Sequence, residues 1–388
     1  MIERFSFAKT PRIVFGADQF ARLGELVAAF GYRAAVLTGG CSLKASGRLD
    51  ETLASLRQHA VRSHCHSVRG EPSPDRIDGI VAESRHAGVD VIVAIGGGSV
   101  LDAGKAVSAM LPTGEPIRDY LEIVGTRTPD GRKVPFVAVP TTAGTGSEAT
   151  MNAVISEVGP DGFKASLRHP NFVPDVALVD PALSLSCPPG VTAACGMDAF
   201  TQLLESYVST KASPITDALA YSGLELACDA LVAACTTGAA DVNVRSAMAY
   251  AALLSGITLA NAGLGVVHGI AGVIGGFFDV PHGVACGTLI ASATRMSIEK
   301  LRKTGGDSLA KYAAVGRLFY GRTTDVNAAC DTLIETLSRW TDELRIPRLG
   351  PCGIGPSDVE IIAARAGNKN NPIALSRDEI AALVTERL

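Results

Sequence analysis

Two histidines lie in the least polar part of this 388-residue chain. His268 and His282 belong to the stretch AGLGVVHGIAGVIGGFFDVPHGVACG, from 262 to 287, in which most other residues are Gly, Ala, Val, Ile or Phe. A buried imidazole has a polar edge that must be satisfied. For either histidine alone, one hydrogen bond to a carbonyl explains its presence equally well. For the two together, a divalent metal is the stronger explanation.

A carboxylate and an amide offer two further metal ligands. Asp198 and Gln202 are four residues apart in CGMDAFTQLLESYVS (195–209), so on a helix they share one face. Asp198 alone is explained as well by a cap near a helix start. Together with the two histidines, Asp198, with or without Gln202, predicts one carboxylate and two imidazoles around Fe(II) or Zn(II) acting as a Lewis acid, with a position left for substrate. Because Gly275, Gly276 and Pro281 should break a helix, we expect His282 to lie on a loop.

The histidines belong to a longer uncharged run. From 246 to 278 the chain has no Lys, Arg, Asp or Glu, and about 20 apolar residues suffice for a transmembrane helix. The run holds many glycines, lacks a basic flank and has no aromatic belt at its edges. A helix pair buried inside a soluble protein is therefore the favoured interpretation over a membrane hairpin.

Overall charge and cysteine usage exclude several classes of protein. The formal net charge is -4, with Lys and Arg scattered along the chain, so we expect no nucleic-acid partner and no binding to anionic membranes. The nine cysteines form no C-x-x-C pair, which argues against a zinc knuckle or redox motif. They are interpreted as reduced thiols used as small buried hydrophobes. With no secretory signal at the start of the sequence, we expect a cytoplasmic protein.

The two halves of the chain have different patterns. Short β-branched runs alternate with helical segments up to about residue 185, which predicts a parallel sheet covered by helices. After that point helical periodicity dominates. We therefore expect an α/β domain over 1–185 and an all-helical domain over 186–388, packed across a cleft that holds the active site.

Two glycine-rich turns in the first half suit a nucleotide phosphate. AIGGGSVLDAGKA (94–106) places three glycines and Ser99 between a buried strand and a helix, where free N–H groups and the helix dipole attract an anion. VPTTAGTGSEAT (139–150) adds hydroxyl and backbone donors after a second strand. Glycines also serve tight turns for geometry alone, but the two loops together favour a nucleotide crevice. The chain has no G-x-x-x-x-G-K-[ST] motif, which argues against an NTPase.

The sequence resembles the iron-dependent, or group III, alcohol dehydrogenases over nearly its whole length. The resemblance rests on VFGADQF, GGGSVLDAGKA, PTTAGTGSEAT, VPDVALVDP, GMDAFTQLLESYVS, NAGLGVVHGIA and PHGVACG, in this order. It implies a Rossmann-like dinucleotide domain followed by a helical metal-binding domain, a dehydroquinate synthase-like fold. The implied reaction is hydride transfer between nicotinamide C4 of NAD(P) and a small alcohol or aldehyde. It also implies at least a homodimer.

The resemblance assigns roles to individual residues. Those expected at the cofactor are Gly39, Ser42, Gly97, Gly98, Ser99, Asp102, Thr141, Thr142, Thr145 and Leu183. Those expected at the metal are Asp198, Gln202, His268 and His282, of which Asp198 and the two histidines are also expected to be catalytic. Asn152 is the expected polar contact to the substrate, with Leu259 and Phe277 as apolar walls.

Three departures from the family pattern bear on chemistry. Many members have His where this chain has Gln202, so the metal should be held more weakly. Some members have a further His where this chain has Gly272, so the pocket should be roomier and protons should leave through water or cofactor hydroxyls. Gly39 stands where NAD-preferring members often carry Asp, with Ser42 and Lys44 nearby. This resembles members that accept NADPH, so NADP is favoured over NAD.

Two other functions remain open from the sequence. The chain could be a metal-independent reductase similar to the maleylacetate reductases, although TMNAV (150–154) and ITLAN (257–261) lack the basic residues that a dianionic substrate needs. It could also be a catalytically impaired NAD(P)-binding protein. A small neutral or weakly polar aldehyde is the favoured substrate.

Overall fold

The fold is known from a computed structural model, which describes residues 4–159, 162–320 and 324–388. The strands are β1 Arg12–Phe15, β2 Arg33–Thr38, β3 Arg62–Ser67, β4 Val91–Gly96, β5 Phe136–Pro140, β6 Asn152–Glu157, β7 Phe163–Arg168 and β8 Val176–Val179. The helices are α1 Leu23–Ala28, α2 Ser42–Ala45, α3 Arg48–Gln58, α4 Pro74–His86, α5 Gly98–Met110, α6 Pro189–Val208, α7 Pro214–Cys235, α8 Val242–Ala262, α9 Val266–Phe277, α10 His282–Thr304, α11 Ser308–Tyr320, α12 Val326–Glu343, α13 Val359–Arg365 and α14 Arg377–Glu386.

The chain divides into two compact units. One comprises Ala8–Glu157 and Lys164–Cys187, and the other consists mainly of Pro188–Leu388. The first contains every strand of a six-stranded sheet, and the second is built from helices α6 to α14. The expected fold class, a parallel-sheet domain followed by a helical domain, is confirmed.

The six-stranded sheet has the order β1-β8-β5-β4-β2-β3, and all its pairings are parallel. β4 and β5 are buried along their whole length, as their continuous apolar sequences predict for strands covered on both faces. Because parallel strands end at the same edge, the segments that follow β8, β5, β4 and β2 leave the sheet side by side. β6 and β7 form a separate two-stranded sheet.

The helical unit is organised around α6, which packs against α7, α8 and α10. α7 begins at a capping box, in which Ser213 and Thr216 exchange hydrogen bonds around Pro214. By length and composition α7 could cross a membrane, and α8 with α9 passes the same test, although that pair is bent by 99°. In this structure α7 packs on α6 and α8.

The prediction that His282 lies on a loop is wrong. Helix α9 continues through Gly275 and Gly276 to Phe277, and Pro281 is the N-cap of α10, whose first residue is His282. Buried packing outweighs the low helix propensity of the two glycines. A proline is tolerated immediately before a helix because no intrahelical N–H is required there.

Candidate metal centre and cofactor turn

Three helices of the second unit bring four potential metal donors together. Asp198 of α6, His268 of α9, and His282 and Cys286 of α10 each offer one donor atom, and these atoms lie within 4.8 Å of one another. Oδ1 of Asp198 is 3.3 Å from Nε2 of His268 and 3.8 Å from Nε2 of His282. The sulfur of Cys286 is 3.6 and 3.7 Å from the same two nitrogens.

Asp198 is not a helix cap. Helix α6 begins at Pro189, so Asp198 lies in its interior, with a residue exposure of only 1%. Its Oδ1 atom is buried and accepts no hydrogen bond from the residues that the structure describes. A buried carboxylate oxygen without a donor is costly, and a divalent cation would satisfy it. The donor set therefore fits a metal.

Glu205 fixes the orientation of His268. One carboxylate oxygen lies 2.7 Å from Nδ1 of His268, and the other accepts the backbone N–H of Val267 at 2.7 Å. With Nδ1 as the donor, Nε2 keeps its lone pair and faces Asp198, which is the tautomer a metal ligand needs. Glu205 was not predicted from the sequence, although its spacing of seven from Asp198 places it two turns along the same helix face.

The charges around the cluster favour a cation. Burial alone would raise the pKa of Asp198, but the imidazoles of His282 and His268 hold it below its usual value. Burial lowers the pKa of His268, yet Cys286, Glu205 and Asp198 together raise it well above its usual value. A metal cation at the cluster would supply the positive charge that these carboxylates favour.

Close helix packing is required to place His282. A Cβ atom added at Gly283 would collide with the carbonyl oxygen of Ala194 in α6. Because glycine lets the start of α10 approach the α6 backbone, the His282 ring comes within reach of Asp198. Its side chain is 23% exposed, against 2% for that of Asp198 and 3% for that of His268. The open side of the cluster is therefore at His282.

Gln202 lies beside the cluster and is buried. Its Nε2 donates to Oδ2 of Asp198 at 3.3 Å, and its Oε1 accepts from the Ser255 hydroxyl at 2.7 Å. Its expected ligand role stays a prediction: in this structure the amide nitrogen faces Asp198 and the amide oxygen faces Ser255.

The predicted cofactor residues of the first unit follow neighbouring strands. Gly39 and Ser42 follow β2, the turn at 97–99 follows β4, the threonines at 141, 142 and 145 follow β5, and Leu183 follows β8. A Cβ added at Gly98 would lie 2.6 Å from Cγ2 of Thr145, and one at Gly97 would lie 3.3 Å from Oγ1 of Thr142. The two glycine-rich turns are thus in contact, at the edge where nucleotides bind in open parallel sheets.

Asp102 and Lys105 tie the segment 147–154 to helix α5. Asp102 accepts from the Ser147 hydroxyl and from the N–H of Val154, the latter at 3.1 Å. Lys105 is fully buried and donates to backbone and hydroxyl oxygens of Ser147, Thr150 and Asn152 at 2.7 to 3.1 Å. Burial lowers the pKa of Lys105 to about 8. Lys105 was not predicted from the sequence, in which it is simply one residue of the helix that follows the first glycine-rich turn.

The predicted substrate residues lie in both units. Asn152 is the first residue of β6 and half-buried. Leu259 lies near the end of α8, and Phe277 is the last residue of α9. The guanidinium of Arg365 lies 4.6 Å from the centre of the Phe277 ring, so part of this expected apolar wall is covered by a cation.

Comparison with known proteins identifies the family. The chain matches the model of iron-containing alcohol dehydrogenases over residues 10–181 and the C-terminal model of the same family over 192–388. It is 33% identical to long-chain-alcohol dehydrogenase 1 of Geobacillus thermodenitrificans, covering 85% of this chain and 82% of that protein. It is 32% identical to 1,3-propanediol dehydrogenase of Klebsiella pneumoniae, covering 95% of both. A solved 1,3-propanediol oxidoreductase superposes over 100% of both chains with a TM-score of 0.88 and 30% identity.

The chain belongs to the iron-containing alcohol dehydrogenase family. The resemblance seen in the sequence is therefore confirmed, as are an oxidoreductase activity on CH–OH groups and the use of NAD(P) and iron in the family. The alternatives of a metal-independent reductase and an impaired cofactor-binding protein are not favoured.

Proposed function

We propose that this protein is an NADP-preferring, metal-dependent dehydrogenase of small neutral alcohols, or equally a reductase of the corresponding aldehydes. The observation that carries the proposal is the convergence of Asp198, His268 and His282 around a buried carboxylate oxygen that has no donor among the described residues. Fe(II) or Zn(II) bound there would polarise the oxygen of the substrate. Asp198 and the two histidines would hold it, and Glu205 keeps Nε2 of His268 unprotonated for that purpose.

The reaction removes two groups from an alcohol. A hydride leaves carbon for nicotinamide C4, and a proton leaves oxygen. A Cβ built at Gly272 would meet no described atom within 4 Å, and this residue lies one turn beyond His268 on α9. With no side chain there, we propose that the proton leaves through water or the cofactor hydroxyls.

The cofactor preference is argued from the end of β2. Gly39 carries no carboxylate to repel a 2′-phosphate, and Ser42 and Lys44 are exposed in the following turn of helix. We therefore expect a higher kcat/KM with NADPH than with NADH. A Cβ at Gly39 would come no closer than 3.8 Å to Val100, so Gly39→Asp fits and should reverse the preference. An unchanged preference in this variant would refute the assignment.

A homodimer or higher oligomer in the cytoplasm is the proposed working state. β1 is an edge strand of the six-stranded sheet, and its Ile13 and Phe15 side chains are exposed. Exposed apolar residues on an edge strand favour pairing with another chain. Light scattering should give at least twice the monomer mass of 40.1 kDa for the wild type and a lower value for Ile13→Lys.

The metal is tested by elemental analysis of protein purified anaerobically without chelators. The wild type should carry near-stoichiometric iron or zinc, and His268→Ala should carry none and reduce no aldehyde with NADPH. His86→Ala, at an exposed histidine of α4, is the control and should match the wild type. A metal-free wild type, or an active His268→Ala, would refute the proposed function.

A further inference from the structure

The fourth donor of the metal cluster is a cysteine. Cys286 lies one helical turn after His282 on α10, so the thiol and the imidazole share a face. Its residue exposure is 0%, and its sulfur lies beside Nε2 of both histidines. These are the two ring nitrogens that face Asp198. A thiol used only as a small hydrophobe would not be expected among three polar donors.

Four of the six distances between the donors are close to those around one tetrahedral ion. With metal–nitrogen and metal–oxygen bonds of about 2.0–2.1 Å and a metal–sulfur bond of about 2.3 Å, the edges of the tetrahedron are about 3.3 Å for N···O and about 3.5 Å for N···S. The observed separations are 3.3 and 3.8 Å for N···O. For N···S they are 3.6 and 3.7 Å. These four pairs therefore depart from the tetrahedral distances by about half an ångström or less, and all four donor atoms lie within 4.8 Å of one another.

Gln202 is oriented to support Asp198 rather than to bind an ion. Oδ2 of an ionised Asp198 can only accept, so the Gln202 atom 3.3 Å away must be the amide nitrogen. The amide oxygen then faces Ser255, whose hydroxyl is 2.7 Å away. An amide nitrogen that keeps both hydrogens has no lone pair to offer a metal.

We propose that the metal of this enzyme is held by Asp198, His268, His282 and the thiolate of Cys286, and that Gln202 is a positioning residue for Asp198. The inference rests on the proposed function, which requires a metal at this cluster. When the ion binds, the metal–sulfur bond replaces the sulfur–hydrogen bond, and the thiol proton passes to solvent. Thiolate is a soft ligand, so the set favours Zn(II) over Fe(II). Catalytic zinc can become five-coordinate, so the substrate oxygen would bind as a fifth ligand on the accessible side, which the exposed edge of His282 marks.

Cobalt substitution gives a test that does not depend on activity. The purified full-length protein is freed of metal with a chelator and loaded with Co(II). The wild type should show visible ligand-field bands together with an intense near-ultraviolet band from sulfur-to-cobalt charge transfer. Cys286→Ala and Cys286→Ser should keep the visible bands and lose the charge-transfer band. Gln202→Ala should keep both. Cys330→Ser, at a buried cysteine of α12, is the matched control and should also keep both.

X-ray absorption at the zinc edge of the zinc-loaded wild type tests the same bond without any variant. We expect one sulfur scatterer at about 2.3 Å. Visible cobalt bands without charge transfer, or a zinc shell of nitrogen and oxygen alone, would overturn the role of Cys286 and leave the proposed function intact. A charge-transfer band that survives in Cys286→Ala would also overturn the role of Cys286. Wild-type protein that takes up no more cobalt than His268→Ala would overturn the proposed function itself.

Discussion

Replacing Glu205 with Gln should weaken metal binding although Glu205 touches no metal. The carboxylate accepts two hydrogen bonds, one from the N–H of Val267 and one from Nδ1 of His268, both at 2.7 Å. Glutamine has the same shape but only one acceptor oxygen. If its amide N–H₂ faces Nδ1, the imidazole must carry its proton on Nε2, the atom that would bind the metal. If it faces Val267 instead, two donors oppose each other in a buried site, which costs about 1–3 kcal/mol.

The first arrangement lowers metal affinity directly, and the second destabilises the site that holds the ligands. Changes to residues that orient a metal-binding histidine typically cost about 10- to 100-fold in affinity, which corresponds to about 1.4–2.8 kcal/mol. The assay is competition for Zn(II) between the protein and a chromophoric chelator at neutral pH. Glu225→Gln, at an exposed glutamate of α7, should bind as the wild type does. A dissociation constant for Glu205→Gln within twofold of the wild type would refute the argument that Glu205 sets the tautomer of His268.

Three further predictions concern the cofactor turn, a buried acid and the open side of α9. Gly98→Ala should raise the KM for NADPH about tenfold, because the new methyl group would displace Thr145 at a cost of about 1–3 kcal/mol. The metal content should stay unchanged. Equal KM values for the variant and the wild type would refute contact between the two turns. Burial raises the pKa of Glu148 from 4.5 to about 7. The stability that this shift confers is present below pH 4.5 and is lost as the pH rises through 7, a change of about 3 kcal/mol. Urea unfolding at pH 5 and 8 should therefore show the free energy of unfolding of Glu148→Gln rising relative to that of the wild type as the pH rises. An equal change in both proteins between the two pH values would contradict this. Gly272→Ala should raise the free energy of unfolding by about 0.5–1 kcal/mol, since glycine disfavours a helix interior and the methyl group would meet no described atom; a loss of stability would refute the open volume.

The helices and strands could largely be predicted, because their patterns are local. The periodic segment 214–235 is helix α7 over the same residues, and the apolar run after residue 89 contains β4. Long amphipathic or fully apolar segments carry this information in their own spacing. The parallel sheet followed from the alternation of strands and helices.

The helical start at His282 could not be predicted from local propensity. Two glycines and a proline favour a break, and only burial against α6 and the rest of the helical unit makes the observed helices stable. That error concealed Cys286. A cysteine four residues after a histidine lies on the same face only when both residues are in one helix. Without that helix, Cys286 was interpreted as a small hydrophobic residue of the core.

Glu205 was missed for a different reason. A glutamate on a helix is usually a solvated surface residue, and nothing in LLESYVS shows that both of its oxygens meet donors from a distant segment. The partners become visible only when α6 and α9 are packed together. Contacts of this kind join residues about 60 positions apart and leave no periodic signal in the sequence.

The metal donors and the glycine turns lie in different units, which has a consequence for the protein without metal. Asp198, His268, His282 and Cys286 all belong to the helical unit, whereas the glycine turns belong to the other unit. If the glycine turns bind the cofactor as we propose, metal-free protein should therefore still bind NADPH without reducing an aldehyde.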